Sequence, residues 1–167
     1  MSTKGKFIGF LFFSILLLDQ GSKIVVDRTV PLHHSISVIQ NLFNLTHIRN
    51  TGAAFGILAG TQGNIGVYVL ILFSLLAAGF IVTLLRRLPS TEKALITGLT
   101  FILSGAVGNL IDRLLYGEVI DFLDFYWSSH HWPAFNVADS FISIGVTLSV
   151  LRLIMAKGED PFNPPVE

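Results

Sequence analysis

The chain has 167 residues, 51% of them hydrophobic and 13% charged, against roughly 25% charged in soluble domains, so its class is that of a membrane protein. Eleven basic residues balance eleven acidic ones, which argues against nucleic acid as a partner because such binding needs a basic surface. With no cysteine present, disulfides, thiolate metal sites and a cysteine nucleophile are excluded.

Lys4 and Lys6 precede an uncharged run from Phe7 to Leu18, the outline of a secretory leader. Asp19-Gln20 stands where a cleavage site needs small residues, and the helical pattern continues through Ile24-Val25-Val26. A retained first span is therefore expected over about 7–26, long enough to cross a bilayer. Asp19 and Lys23, one turn apart, share a face and can neutralise each other.

From Asp27 to about Gly60 the texture changes to Pro31, His33-His34 and the alternating Ser35-Ile36-Ser37-Val38 and Phe43-Asn44-Leu45-Thr46. Alternation of this kind predicts short strands in a small extramembrane β loop over about 31–60. The loop ends in Asn50-Thr51-Gly52-Ala53-Ala54-Phe55, where Asn50 offers an amide and Gly52 permits a tight turn.

Span two, about 65–85, carries no charge and stops at Arg86-Arg87. Span three is expected over about 94–111. Gly105, Gly108, Asn109 and Asp112 fall at i, i+3, i+4 and i+7 on one face of it, with Arg113 alongside. Ser104 and Gly108 form a small-xxx-small pair suited to close helix approach. Residues 114–133 hold Asp121, Asp124 and the aromatics Phe122, Phe125, Tyr126, Trp127 and Trp132, the composition of a segment lying in the membrane interface. Pro133 suits the first turn of a helix, which places span four at about 134–151, closed by Arg152. Along it Asn136, Asp139, Ser140, Ser143 and Thr147 form a polar stripe expected to face the bundle, with Asp139 a turn or more inside the span. The polar tail over 158–167, with three prolines, is expected to be disordered; residues 1–157 then form a single membrane-embedded domain.

The basic residues Lys4, Lys6, Arg86, Arg87, Lys93, Arg152 and Lys157 fall on one side of a four-span chain, which predicts cytoplasmic termini. Asp19, Lys23, Asn50, Asn109, Asp112, Asp121, Asn136 and Asp139 then gather at the opposite edge of the bilayer. Among the chemistries open to such a set, zinc lacks a His-Glu-x-x-His motif, and His33, His34, His47, His130 and His131 have no helical ligand spacing. No metal and no cofactor is expected. A serine and lysine mechanism is weakened by Asp19 next to Lys23, which favours the charged amine. A transporter using the same stripes would place its acids at mid-depth and often show an internal repeat, and none is found. Two aspartates remain. Held close together they cannot both ionise, so one keeps a proton while the other acts as base on water, a chemistry that hydrolyses a peptide bond unaided by metal. Asp121 and Asp139 are the favoured pair, with Asp112 and Asp124 as rivals on spacing alone.

Five blocks carry a resemblance: Asp19-Gln20-Gly21-Ser22-Lys23, Asn50 to Phe55, Gly108-Asn109-Leu110-Ile111-Asp112-Arg113, Val119-Ile120-Asp121-Phe122, and Phe135-Asn136-Val137-Ala138-Asp139-Ser140. In this order they resemble the motifs of bacterial lipoprotein signal peptidase, or signal peptidase II, over most of the chain. The resemblance implies a four-helix membrane bundle with an external β cradle and an interfacial helix, for which residues 56–64 or 122–127 are the candidates. It implies an aspartyl endopeptidase of the bacterial inner membrane that cuts prolipoproteins before a diacylglyceryl-modified cysteine; a monomer embedded in membrane lipid is expected. The catalytic pair falls on Asp121 and Asp139. Supporting or substrate-binding positions fall on Asp19, Lys23, Asn50, Gly52, Gly105, Gly108, Asn109, Asp112, Arg113, Asn136 and Ala138. Small residues on spans three and four are expected to leave room for acyl chains. Ser104, where the family often has glycine, and the longer loop with His130-His131 depart from the pattern.

Overall fold

The computed structural model describes residues 2–52, 64–156 and 160–162. Four helices, α1 (Thr3–Thr29), α2 (Ile65–Arg87), α3 (Lys93–Tyr116) and α4 (Val137–Met155), are each long and apolar enough to cross a membrane. α1 begins where Ser2 caps it, its hydroxyl accepting from the Gly5 amide at 3.2 Å. α3 runs past the expected end at residue 111 because a polar residue does not stop a helix. It stops at Gly117, whose φ of 74° suits only glycine comfortably and whose N–H bonds the Arg113 carbonyl.

α3 is the central helix: 61% of its most apolar window is buried, against 11–17% for the other three. Glycine makes the close approach possible. A Cβ on Gly98 or Gly105 would collide with α4, and one on Gly145 would come within 2.5 Å of the Gly98 carbonyl. The glycine face therefore seats helices against one another, and the small residues of α4 that border open space are Ser140 and Ser143. At one end Leu88, Leu95, Leu99 and Leu103 pack with Ile81 and Leu85. Here Lys4 donates to the Leu88 carbonyl, and Arg152 makes two hydrogen bonds to buried Glu92 at 2.6 and 2.9 Å. The start of α1, the α2–α3 turn and the end of α4 thus share one end of the bundle.

The other end carries a four-stranded antiparallel sheet in the order β1 (Ser35–Ile39), β2 (Phe43–Asn50), β3 (Val119–Trp127) and β4 (His130–His131). β1 and β2 fall within the predicted β loop. β3 does not: residues 122–127, a candidate interfacial helix, are strand, pairing with β2 in a register that sets Asp121 opposite Ile48 and Leu123 opposite Leu45. The first four residues of β3 are buried on both faces, so no alternation marks it in sequence. The other candidate, 56–64, lies outside the described residues except for Asn64, as does the tail apart from 160–162.

α4 also starts later than expected. Pro133 precedes the helix, and Asn136 is its N-cap: the Asn136 side chain accepts from the Asp139 N–H at 3.0 Å, and Asp139 accepts from the Asn136 N–H at 3.2 Å. This reciprocal box outcompetes proline as a start signal, so Asp139 sits in the first turn rather than deeper in the span. The expected polar stripe divides as well. Asn136 is fully buried, whereas Ser143 and Thr147 are exposed and return their hydroxyls to the carbonyls of Asp139 and Ser143, which satisfies them without a facing helix.

Candidate active site

Below the sheet, α1 and α3 meet through a buried ion cluster. Lys23 of α1 lies 2.8 Å from Asp19 on its own helix, 2.9 Å from Asp112 on α3 and 2.9 Å from the Asn109 amide oxygen. All three charged groups are at most 1% exposed. One cation serves two acids, so the excess negative charge needs further donors. Asp19 accepts from the Ala138 N–H at the start of α4 (2.9 Å), and Asp112 accepts from the Ile120 N–H of β3 (3.3 Å). Gln20 donates to Asp112 at 2.9 Å and lies 3.1 Å from both Asp19 and the Gly108 carbonyl. Gln20 was not singled out in the sequence. Its signal is an amide inside an apolar span, one residue after Asp19. Gly108 belongs to the same contact, since a Cβ there would come within 2.5 Å of the Asp19 carboxylate.

A pair of amides links this cluster to two further acids. Asn109 donates to Asp139 at 2.8 Å, and its oxygen accepts from Asn136 at 3.1 Å as well as from Lys23. Asn136 in turn donates to Asp121 at 2.7 Å and lies 3.3 Å from the Ile120 carbonyl. Asn50, at the end of β2, donates to the other Asp121 oxygen at 3.0 Å. Asn50 also accepts the Gly52 N–H at 2.9 Å, closing a small turn, and Arg113 donates to the Gly52 carbonyl at 3.1 Å. Ala53 to Phe55, the rest of that motif, lie outside the described residues.

Asp121 and Asp139 both line a cavity of about 840 Å³ together with Asn50, Gly52, Asn109 and Arg113; Pro133, Ile142 and Ile144 supply much of its apolar wall. The rivals are engaged elsewhere: Asp112 with Lys23, and Asp124 with Asn44 and His131. Gly105 and Ala138 are not lining residues of this cavity but meet each other, the Ala138 carbonyl taking the space a Gly105 Cβ would need, and Ala138 is fully buried. Burial pushes the Asp121 carboxyl up to about 7, the Asp139 charge adds to the rise, and the hydrogen bonds from Asn50 and Asn136 oppose it. A carboxyl that keeps its proton near neutrality beside a second acid is suited to general acid and base work. No cluster of three or more His, Asp or Glu side chains able to hold a metal occurs among the described residues.

Residues 11–155 match the family model described as Signal peptidase (SPase) II. The lipoprotein signal peptidase of Desulforapulum autotrophicum is 49% identical over 146 residues, covering 87% of this chain and 90% of that protein. That of Geobacter sulfurreducens is 48% identical over 139 residues, 83% of this chain and 86% of its own length. A bacterial membrane enzyme solved by the in meso method at 2.3 Å has a TM-score of 0.82 at 28% identity, with 92% of this chain and 90% of that one covered.

Proposed function

The chain belongs to the signal peptidase II family, aspartic-type membrane peptidases that remove signal peptides from prolipoproteins, and we propose that it cuts immediately before a diacylglyceryl-modified cysteine using Asp121 and Asp139. One observation carries this reading: the two carboxylates, one from β3 and one from the first turn of α4, line one cavity and are tied through the Asn109 and Asn136 amides.

With one proton shared between the pair, the ionised carboxylate takes a proton from a water molecule as its oxygen attacks the scissile carbonyl carbon. The protonated partner gives its proton to the carbonyl oxygen, forming a tetrahedral diol. Collapse of the diol breaks the C–N bond: the leaving amine takes a proton from one aspartate while a diol hydroxyl gives its proton to the other, and the carboxyl product departs with the dyad again singly protonated. The proton belongs to the pair rather than to either residue. Asn50, Asn109 and Asn136 hold the carboxylates in place with neutral amides, which orient them without fixing the proton on one side.

A substrate anchored by its acyl chains presents the modified cysteine at the membrane surface. The site lies at the bundle end opposite Lys4, Arg86, Arg87 and Arg152. The excess of basic residues at that other end supports a multi-pass inner-membrane protein with both termini cytoplasmic and the dyad at the external edge. Asp121→Asn and Asp139→Asn are each expected to reduce cleavage of a lipid-modified precursor by about three orders of magnitude or more, on the scale of losing an essential group. Both variants should insert and melt as folded protein. Near-normal cleavage by either would refute the dyad, and equal cleavage of the unlipidated precursor would refute the substrate assignment.

A further inference from the structure

Beside the dyad cavity lies a second one of about 440 Å³, and its described walls come from strands and loops alone. Each strand of the sheet gives it a polar residue: Ser35 of β1, Thr46 of β2, Asp124 of β3 and His131 of β4, with His33 from the loop before β1. The dyad cavity, by contrast, takes Asn109 and Arg113 from α3 and Ser140, Ser143 and Ile144 from α4. One cavity reaches toward the membrane-spanning segments, and the other belongs to the extramembrane sheet.

The two share Ile48 and Trp132 to Ala134. Ile48 is 38% exposed and Trp132 61%, and Pro133 is exposed as well, so the boundary is an open sill rather than a sealed partition. It is a fixed sill. The Trp132 N–H donates to the Phe125 carbonyl at 2.8 Å and the Phe135 N–H to the Leu123 carbonyl at 3.1 Å. β2 floors both cavities, Asn50 and Ile48 in the first, Ile48 and Thr46 in the second. Asp121 stands opposite Ile48. From that level Thr46 is about 7 Å along the strand, and Ser35 is one strand spacing of about 5 Å farther. The Ser35 hydroxyl donates to that of Thr46 at 3.0 Å. An extended peptide advances about 3.3 Å per residue, so a chain cut at the dyad can lay its third and fourth residues beyond the scissile bond over Thr46 and Ser35.

Polarity decides which half of the substrate takes this track. An apolar signal segment stays in the bilayer, on the side of Ile142 and Ile144, whereas the chain after the lipid-modified cysteine is hydrophilic and leaves the membrane toward the sheet. Two hydroxyls, two imidazoles and a carboxylate already satisfied by Asn44 and His131 suit polar side chains and peptide groups, not acyl chains. We propose that the second cavity is the subsite for the start of the mature chain, holding its third and fourth residues in extended form, with the modified cysteine counted as the first; this rests on the peptidase reading of the dyad.

The lack of native cysteine permits a direct test on full-length protein in detergent. Ser35→Cys in an Asp139→Asn background, which leaves precursor uncut, is mixed with diacylglyceryl-modified precursors that each carry one extra free cysteine, and disulfide-linked complex is scored. A thiol at the third or fourth mature residue should be captured at least tenfold more than one placed three residues before the scissile bond. Equal or reversed capture would overturn the subsite. Kinetics give a second readout in the cleaving enzyme. A precursor ended as an amide at the second mature residue should show KM raised about five- to tenfold, the scale of one or two lost hydrogen bonds, with kcat within about twofold. Ser35→Glu should raise KM several-fold for a precursor with glutamate at the fourth mature residue and lower it for one with lysine there. Equal KM for truncated and full precursors, or a Ser35→Glu effect blind to that charge, would count against the subsite decisively. If the parent cuts no lipid-modified precursor, the peptidase reading falls and takes the subsite with it; if it cuts while Ser35→Cys captures no downstream thiol, the subsite alone falls.

Discussion

Asp121 holds its proton to about pH 7 because burial and a neighbouring acid both oppose its charge. In the proposed mechanism the dyad works with one proton, so cleavage should fall as pH rises through about 7 and that proton is lost. Stability should move the same way. Between the ordinary value of 3.8 and about 7 the folded chain binds a proton that the unfolded chain has released, so unfolding becomes easier as pH rises across that window. Melting temperature in detergent is expected to decline from about pH 5 to 7.5 by this contribution, and Asp121→Asn should remove it. Lys23 makes a different case. Replacing it with Met leaves Asp19 and Asp112 buried with no cation between them, a loss of about 3–5 kcal/mol on the scale of a broken buried ion pair. Thermal denaturation would measure it, and adding Asp112→Asn should recover part of the loss because the two sites share one interaction. At this scale much was legible. Asp19 and Lys23 announce their pairing by one-turn spacing, but spacing within α1 says nothing of Asp112, the second acid, on another helix.

Among the elements, the helices were legible and the sheet only by half. β1 and β2 alternate and stand next to each other in the chain. β3 pairs with a strand far away in sequence and is buried on both faces at its start, so Val119-Ile120-Asp121-Phe122 reads as a generic apolar run with an acid in it. The start of α4 was misplaced for a different reason. Pro133 is one local start signal and Asn136 with Asp139 three residues on is another, and the fold uses the second because it satisfies two backbone N–H groups where proline satisfies none. The glycines of α3 were visible as a face, yet their purpose needed the neighbours. Gly108→Ala tests it: the new methyl meets the Asp19 carboxylate at 2.5 Å, with an expected cost of about 1–3 kcal/mol from overpacking. Gly79→Ala on α2 is the control, since nothing lies within 4 Å of its Cβ and its stability should hold or improve. Equal melting temperatures for the two variants would remove Gly108 from the set of packing-critical positions.

Taken whole, the molecule is polarised. Basic residues and the Glu92–Arg152 pair mark one end, the acids, amides and sheet the other. The lack of any cysteine makes the proposed sidedness easy to read. A single cysteine at Asn41, in the β1–β2 turn, should react with an impermeant maleimide in spheroplasts, whereas one at Ser90, between α2 and α3, should react only after lysis. The reverse pattern would place the dyad on the cytoplasmic face and contradict the proposed access of substrate. The buried trio of Asp19, Lys23 and Asp112 has a bearing on how such a chain is built. α1 can enter lipid as a self-neutralised segment, its amine and carboxylate one turn apart, while the acid of α3 makes its buried ion pair with a helix made earlier. During synthesis the first segment is thus a waiting receptor for the third, and release of α3 from the insertion machinery should await their meeting.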